Sequence, residues 1–134
     1  MNRILLIAMM ISFLFPLPAL GNSNVKAGFI RDGNLWILQN KKEKQITTSG
    51  KVFAKPKWSP DGKWLLFQHA APSQFPDKEE QSEVWVYNIE TQEKKKLFRD
   101  GYAPTWAPNK NIIAFNDSGI LNISDFKRFY NIAV

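Results

Sequence analysis

Few side chains in this 134-residue chain are of a type and spacing that could do chemistry. There is one His, His69, and no Cys, so neither a thiolate nucleophile nor a Cys/His zinc site can be assembled. Acidic groups gather in "DKEE" (Asp77 to Glu80), but without the Asp-x-Asp-x-Asp-Gly spacing that wraps a calcium ion. No Gly-x-Ser-x-Gly elbow, Gly-rich phosphate loop or His-Glu-x-x-His pair occurs. We therefore assign no catalytic residue, metal ligand or cofactor. One carboxylate stands out by its setting: Asp61 in "WSPDGKWLLF" (Trp58 to Phe67). It could meet a ligand, or it could only build the turn in which it sits.

The elements around Asp61 decide between these. Placing Trp58 on Trp106, 48 residues later, aligns "PKWSPDGKWLLF" with "PTWAPNKNIIAF". Pro60 falls on Pro108, Asp61 on Asn109 and Phe67 on Phe115. The second copy keeps the turn-forming residue types and drops the charge, so Asp61 reads as a turn residue. Pro60 pre-sets φ for a type I turn, Asp61 caps nearby N–H groups, and Gly62 supplies the positive φ that re-enters the strand. In the second copy Gly62 is replaced by Lys110, and Asn109 or Asn111 is expected to take the positive φ instead.

A second segment also recurs: "GNLWIL" (Gly33 to Leu38), "SEVWVY" (Ser82 to Tyr87) and, more weakly, "GILNIS" (Gly119 to Ser124), with Trp36 on Trp85. The short runs "KKEK" (Lys41 to Lys44) and "KKK" (Lys94 to Lys96) fit solvated hairpin edges. Each unit is four short strands separated by Gly, Pro, Asn and Asp, with Asp32-Gly33 a strong hairpin signal. Trp58 and Trp106 are expected to pack between neighbouring sheets. Trp64 falls opposite Ile112 in the alignment and is expected to be the freer, more exposed aromatic. The segment from His69 to Gln81, with two Pro and clustered charge, is expected to be a mobile inserted loop.

The amino terminus has one basic residue, Arg3, an apolar run from Ile4 to Phe15, two prolines, and Ala19 and Gly21 at a cleavage spacing. That is the layout of a signal peptide over residues 1–21, cleaved near Gly21, with membrane attachment only if it is retained. An exported chain without Cys has neither disulfides nor a lipidated cysteine. The net charge of +6 is scattered, and export argues against nucleic acid as a partner.

Four antiparallel strands per 40–50 residues is the blade pattern of a β-propeller. "WSPDGKWLLF" and "WAPNKNIIAF" resemble the WD40-like repeats of the TolB family of exported propellers. The expected fold is all-β: a signal helix, then an incomplete propeller over 22–134 with about two to two and a half blades. Blade 1 covers about 25–48, blade 2 about 52–99, and blade 3 begins over about 102–124. Rings close with about 4–8 blades, so the chain reads as an N-terminal portion of a longer propeller, marginally stable and prone to self-association through bare faces. The resemblance implies a non-enzymatic scaffold that binds a protein or cell-envelope component at the loops near "RDGN" and "NDSG". Arg31, Asp32, Asn34, Asn116 and Asp117 are the ligand-facing candidates. The alternatives are a piece of a propeller-bearing enzyme (a prolyl-oligopeptidase-type peptidase or a sugar lyase) and a remnant without activity.

Overall fold

The computed structural model describes residues 25–125, and every regular element in them is a β-strand. The expected signal segment and the final run "FKRFYNIAV" lie outside the described residues. Three antiparallel sheets follow one another along the chain. The first is β1 (Lys26–Arg31), β2 (Asn34–Gln39) and β3 (Lys42–Gln45). The central sheet has four strands in sequence order: β4 (Val52–Trp58), β5 (Trp64–Pro72), β6 (Glu80–Asn88) and β7 (Lys94–Phe98). The third is β8 (Tyr102–Trp106), β9 (Ile112–Asp117) and β10 (Ile120–Asp125).

The turns explain why the strands meet in this register. Asp32-Gly33 (φ 51° and 66°), Asn40-Lys41 (52° and 61°) and Ser118-Gly119 (51° and 84°) place two successive residues at positive φ. This is the two-residue turn whose twist matches that of the strands it joins, and it sets Arg31 opposite Asn34. In "SPDG" the Gly62 N–H donates to the Ser59 carbonyl (2.9 Å), Asp61 Oδ1 accepts from the Lys63 N–H (3.0 Å), and Gly62 sits at φ 66°. The copy at "APNK" closes differently. Neither Asn109 nor Asn111 takes positive φ, contrary to expectation. Ala107 N–H reaches the Ile112 carbonyl (2.8 Å) and Ile112 N–H bonds back to Lys110 (2.8 Å), so the turn closes without a left-handed residue. Asn111 Nδ2 instead donates to Asp61 Oδ2 (2.8 Å), tying the two turns together.

Two further expectations need correction. The segment from His69 to Gln81 is not one loop. β5 and β6 run on past Phe67, pairing His69 with Glu83, Ala70 with Ser82, Ala71 with Gln81 and Pro72 with Glu80. Only residues 73–79 connect them. Pro72 is tolerated because it lies beyond the part of β5 that β4 covers, so its missing N–H costs no ladder bond on that side. Trp64 is also not exposed: it is 7 % accessible and packs with Leu66, Val84, Val86, Trp106, Ile113 and Phe115.

The core lies in two seams, one on each side of the central sheet. Trp64, Leu66, Val84 and Val86 face the third sheet. The alternating residues Leu65, Phe67 and Tyr87, with Val52, pack against Leu35 and Ile37 of the first sheet. A strand buried on both faces needs apolar residues at consecutive positions, which is why "WLLF" shows no polar alternation. Trp58 is half-buried against the first seam, and Trp106 is buried in the second. Gly28 lets β1 approach closely, since a Cβ there would lie 2.7 Å from a Leu65 methyl.

Candidate functional site

Two clefts open at the end of the sheets where one sheet's last strand crosses to the next sheet's first. The smaller, about 290 Å³, lies between the first and central sheets and is lined by Thr47, Ser49, Phe67, His69, Trp85 and Lys94. Strand pairing puts His69 and Glu83 opposite one another, on the same face as Phe67 and Trp85. Glu83 is buried, with Oε1 accepting from Lys96 Nζ (2.7 Å) and Oε2 from Trp85 Nε1 (2.9 Å). Burial alone would raise its pKa, but these hydrogen bonds and the Lys96 charge hold it below the usual carboxylate range. His69 Nε2 meets Ser49 Oγ at 2.9 Å. Burial pushes the imidazole below its ordinary value of 6.5, with Lys94, Lys51 and Lys96 adding to the effect and Glu83 opposing it.

Ser49, His69 and Glu83 lie in a row in the folded chain, the order of residue types in a hydrolytic triad. The geometry does not supply one. His69 Nδ1 stands 3.9 Å from Glu83 Oε2, and both Glu83 oxygens already accept hydrogen bonds from Lys96 and Trp85. The cluster acts as a polar latch that fastens the 46–51 crossover onto the central sheet.

The latch has a pH dependence. The unfolded chain takes up a proton at His69 near pH 6.5 that the folded chain resists. The folded state is thus favoured above that pH and loses stability as pH falls towards the depressed folded value. Glu83 acts further down: its contribution is complete above the unfolded value of 4.5 and is lost as pH falls through its lower folded pKa. Urea midpoints should therefore drop between about pH 7.5 and about 5.5, and His69→Gln should flatten that slope. An unchanged slope in the variant would assign the dependence elsewhere.

The larger cleft, about 540 Å³, lies between the central and third sheets. Its walls are Lys51, Val52, Phe53, Ala70, Gln81 and Tyr102. Phe53 and Tyr102 lie at the start of the first strands of their sheets, second and first in β4 and β8, and are each 39 % exposed. Lys51 Nζ and Glu80 Oε1, at 2.9 Å, form an exposed ion pair on the rim. The floor is rigid: Ser82 Oγ donates to the Gly101 carbonyl (2.7 Å) and Gln68 Nε2 donates to Ser82 Oγ (2.8 Å). Beside each aromatic the first strand breaks register, with Ala54 at φ 61° and Ala103 at φ 48°. Left-handed alanine costs about 1–2 kcal/mol, and here it accompanies bulges that set the inner strands' tilt.

The residues singled out in sequence occupy the same end but do not converge. Arg31 pairs with Glu43 (2.8 Å) and lies over the Phe29 and Trp36 rings. Asp32 forms the β1–β2 turn. Asn34 is held within its sheet, donating to the Asp32 carbonyl and accepting from the Gly50 N–H. Asn116 accepts from the Gly119 N–H, and Asp117 from Ser118 Oγ. Among the described residues, no three His, Cys, Asp or Glu cluster as metal ligands would. Sequence reasoning missed Phe53, Tyr102, His69 and Glu83. The signal for the last two was the possibility of continuing the β5–β6 ladder beyond Phe67.

No protein-family model matches the chain, and no curated protein matches it. Solved structures do. TolB from Acinetobacter baumannii superposes with a TM-score of 0.51 and 17 % identity, over 73 % of this chain and 26 % of that one. A putative TolB from Agrobacterium tumefaciens gives 0.51 and 18 %, over 75 % and 41 %. The fold is that of a TolB-like β-propeller. The three sheets are its blades, and the chain spans well under half the length of these structures. In TolB-like terms the two clefts sit between successive blades at the crossover end.

Proposed function

We propose that this chain is an exported, non-enzymatic propeller scaffold that binds a protein or other cell-envelope component through the cleft between its second and third blades. The observation that carries the reading is the pair of exposed aromatics, Phe53 and Tyr102, beside a satisfied polar floor and a charged rim. Exposed aromatics over rigid backbone, ringed by polar groups, are the usual anchors of a protein interface. The apolar amino-terminal run supports export, and the TolB-like fold supports a binding role.

A photo-crosslinking amino acid at Phe53 or Tyr102, expressed in the native envelope, should trap a discrete protein adduct. The same group at Lys110, at the opposite end, should not. Equal labelling at both ends, or none at either, would overturn the proposal.

A further inference from the structure

The cleft between the first and central sheets, about 290 Å³ in volume, holds more polar groups than the latch employs. One set is committed to the fold. Thr47 Oγ1 accepts from the Leu35 N–H (2.9 Å), while Trp85 Nε1 and Lys96 Nζ donate to Glu83 (2.9 and 2.7 Å). A second set is not. Thr48 and Lys94 line the cleft and are exposed, and among the described residues neither has a hydrogen-bond or ion-pair partner. Ser49 Oγ lines the same cleft, 2.9 Å from His69 Nε2.

The register of the central sheet places these groups. Lys94 stands opposite Tyr87 and Lys96 opposite Trp85, on the face turned to the first sheet, whereas Lys95 stands opposite Val86 on the other face. The charged groups that face His69 are Glu83 of β6, Lys94 and Lys96 of β7, and Lys51 of the crossover. Lys96 balances Glu83 (2.7 Å) and Glu80 balances Lys51 (2.9 Å). Lys94 is the surplus charge. One cation, two hydroxyls and the rings of Phe67 and Trp85 suit a singly charged oxyanion on an organic body. A phosphate dianion would find half its charge unmatched.

We propose that this cleft binds a carboxylate, that of a small organic acid or of a peptide's carboxyl terminus, between Lys94 Nζ and the hydroxyls of Thr48 and Ser49. His69 responds to the ligand through Ser49. When the Ser49 hydroxyl donates to the carboxylate, its oxygen is left to accept from Nε2–H. The other ring nitrogen, Nδ1, is buried without a hydrogen-bond partner and lies 3.9 Å from Glu83 Oε2. A proton added there faces a carboxylate, so the bound ligand favours the imidazolium. Binding and protonation are thus linked, and each pH unit by which the ligand raises the imidazole pKa makes the protonated chain bind about tenfold more tightly. The site is separate from the cleft between the second and third blades and does not depend on what that cleft binds.

The chain has one His, so the imidazole Hε1 proton gives a single NMR signal to titrate in the full, untagged chain. Saturating sodium acetate should raise the pH midpoint of that signal relative to sodium chloride at equal ionic strength. Acetate should also bind more tightly at about pH 5.5 than at about pH 7.5. An N-acetyl dipeptide separates the two sources. Tighter binding than acetate, lost on amidation, assigns the site to chain ends, and no gain over acetate assigns it to free acids. Lys94→Gln should weaken acetate binding about tenfold, whereas Lys95→Gln, the same charge change on the opposite face, should leave it unchanged. Ser49→Ala should still bind acetate weakly and lose the shift of the His69 midpoint. The wild-type titration needs no variant to fold, and a midpoint that acetate leaves unmoved would overturn the proposal. So would phosphate binding more tightly than every carboxylate, an amidated peptide binding as well as its acid, or equal losses in Lys94→Gln and Lys95→Gln.

Discussion

Replacing Trp106 by alanine should cost about 3–5 kcal/mol, the usual range for truncating a buried large aromatic. The ring sits in the seam between the second and third blades with Trp64, Ile113 and Phe115. Its Nε1 also donates across that seam to the Lys57 carbonyl (3.0 Å), and Lys57 Nζ donates back to the Pro104 carbonyl (2.8 Å). Truncation leaves a cavity and removes this cross-seam hydrogen bond at once. Trp106→Phe keeps most of the packing and loses the hydrogen bond, so its own cost should be smaller, with about 1 kcal/mol from that bond. Urea unfolding of the two variants separates these contributions. An alanine variant within about 1 kcal/mol of the parent would mean that the seam does not contribute to global stability.

The second large effect lies at the other seam. Leu65 is fully buried, and Leu65→Ala should destabilise by about 2–5 kcal/mol. Gly28 faces it so closely that an added Cβ would lie 2.7 and 2.9 Å from the two Leu65 methyls. Gly28→Ala alone should therefore overpack the seam, at about 1–3 kcal/mol. In the double variant the new methyl enters space that Leu65 vacated. The two costs should then sum to less than their separate values by about 1 kcal/mol or more. Strict additivity in denaturant melts would show that Gly28 and Leu65 do not share that space.

What could be read from the sequence was whatever depends on local chemistry repeated at a fixed spacing. The Trp58 and Trp106 copies fixed the period, and Asp32-Gly33 marked its hairpin because only a few residue pairs fit two successive positive φ angles. Errors arose where a long-range partner overrode local composition. Pro72 and the charges around Asp77 suggested a loop, yet cross-strand pairing carried β5 and β6 beyond Phe67. Trp64 had no aromatic counterpart, but burial on both faces of β5 makes that position apolar in either copy. The His69–Glu83 pairing was invisible because 14 residues separate them and only the ladder brings them opposite. Phe53 and Tyr102 were missed because the bulges that present them leave no residue-type signal: alanine holds both left-handed positions.

The burial of both faces of β5 has a consequence for how the chain finds its register. In a strand with one wet face, slipping by one residue drives polar groups inward and is heavily penalised. With Trp64, Leu65, Leu66 and Phe67 in a row, such a slip would exchange the contents of the two seams and still leave apolar groups inside. Hydrophobicity alone therefore distinguishes poorly between the native alignment and its neighbours. The address must be written in the preceding turn, where Ser59 N–H reaches the Trp64 carbonyl (2.9 Å) and Ser59 Oγ accepts from the Trp64 N–H (3.0 Å). "SPDG" thus works as a counting device. It measures out the residues between strands, and a single insertion within it would misplace every side chain that follows along β5.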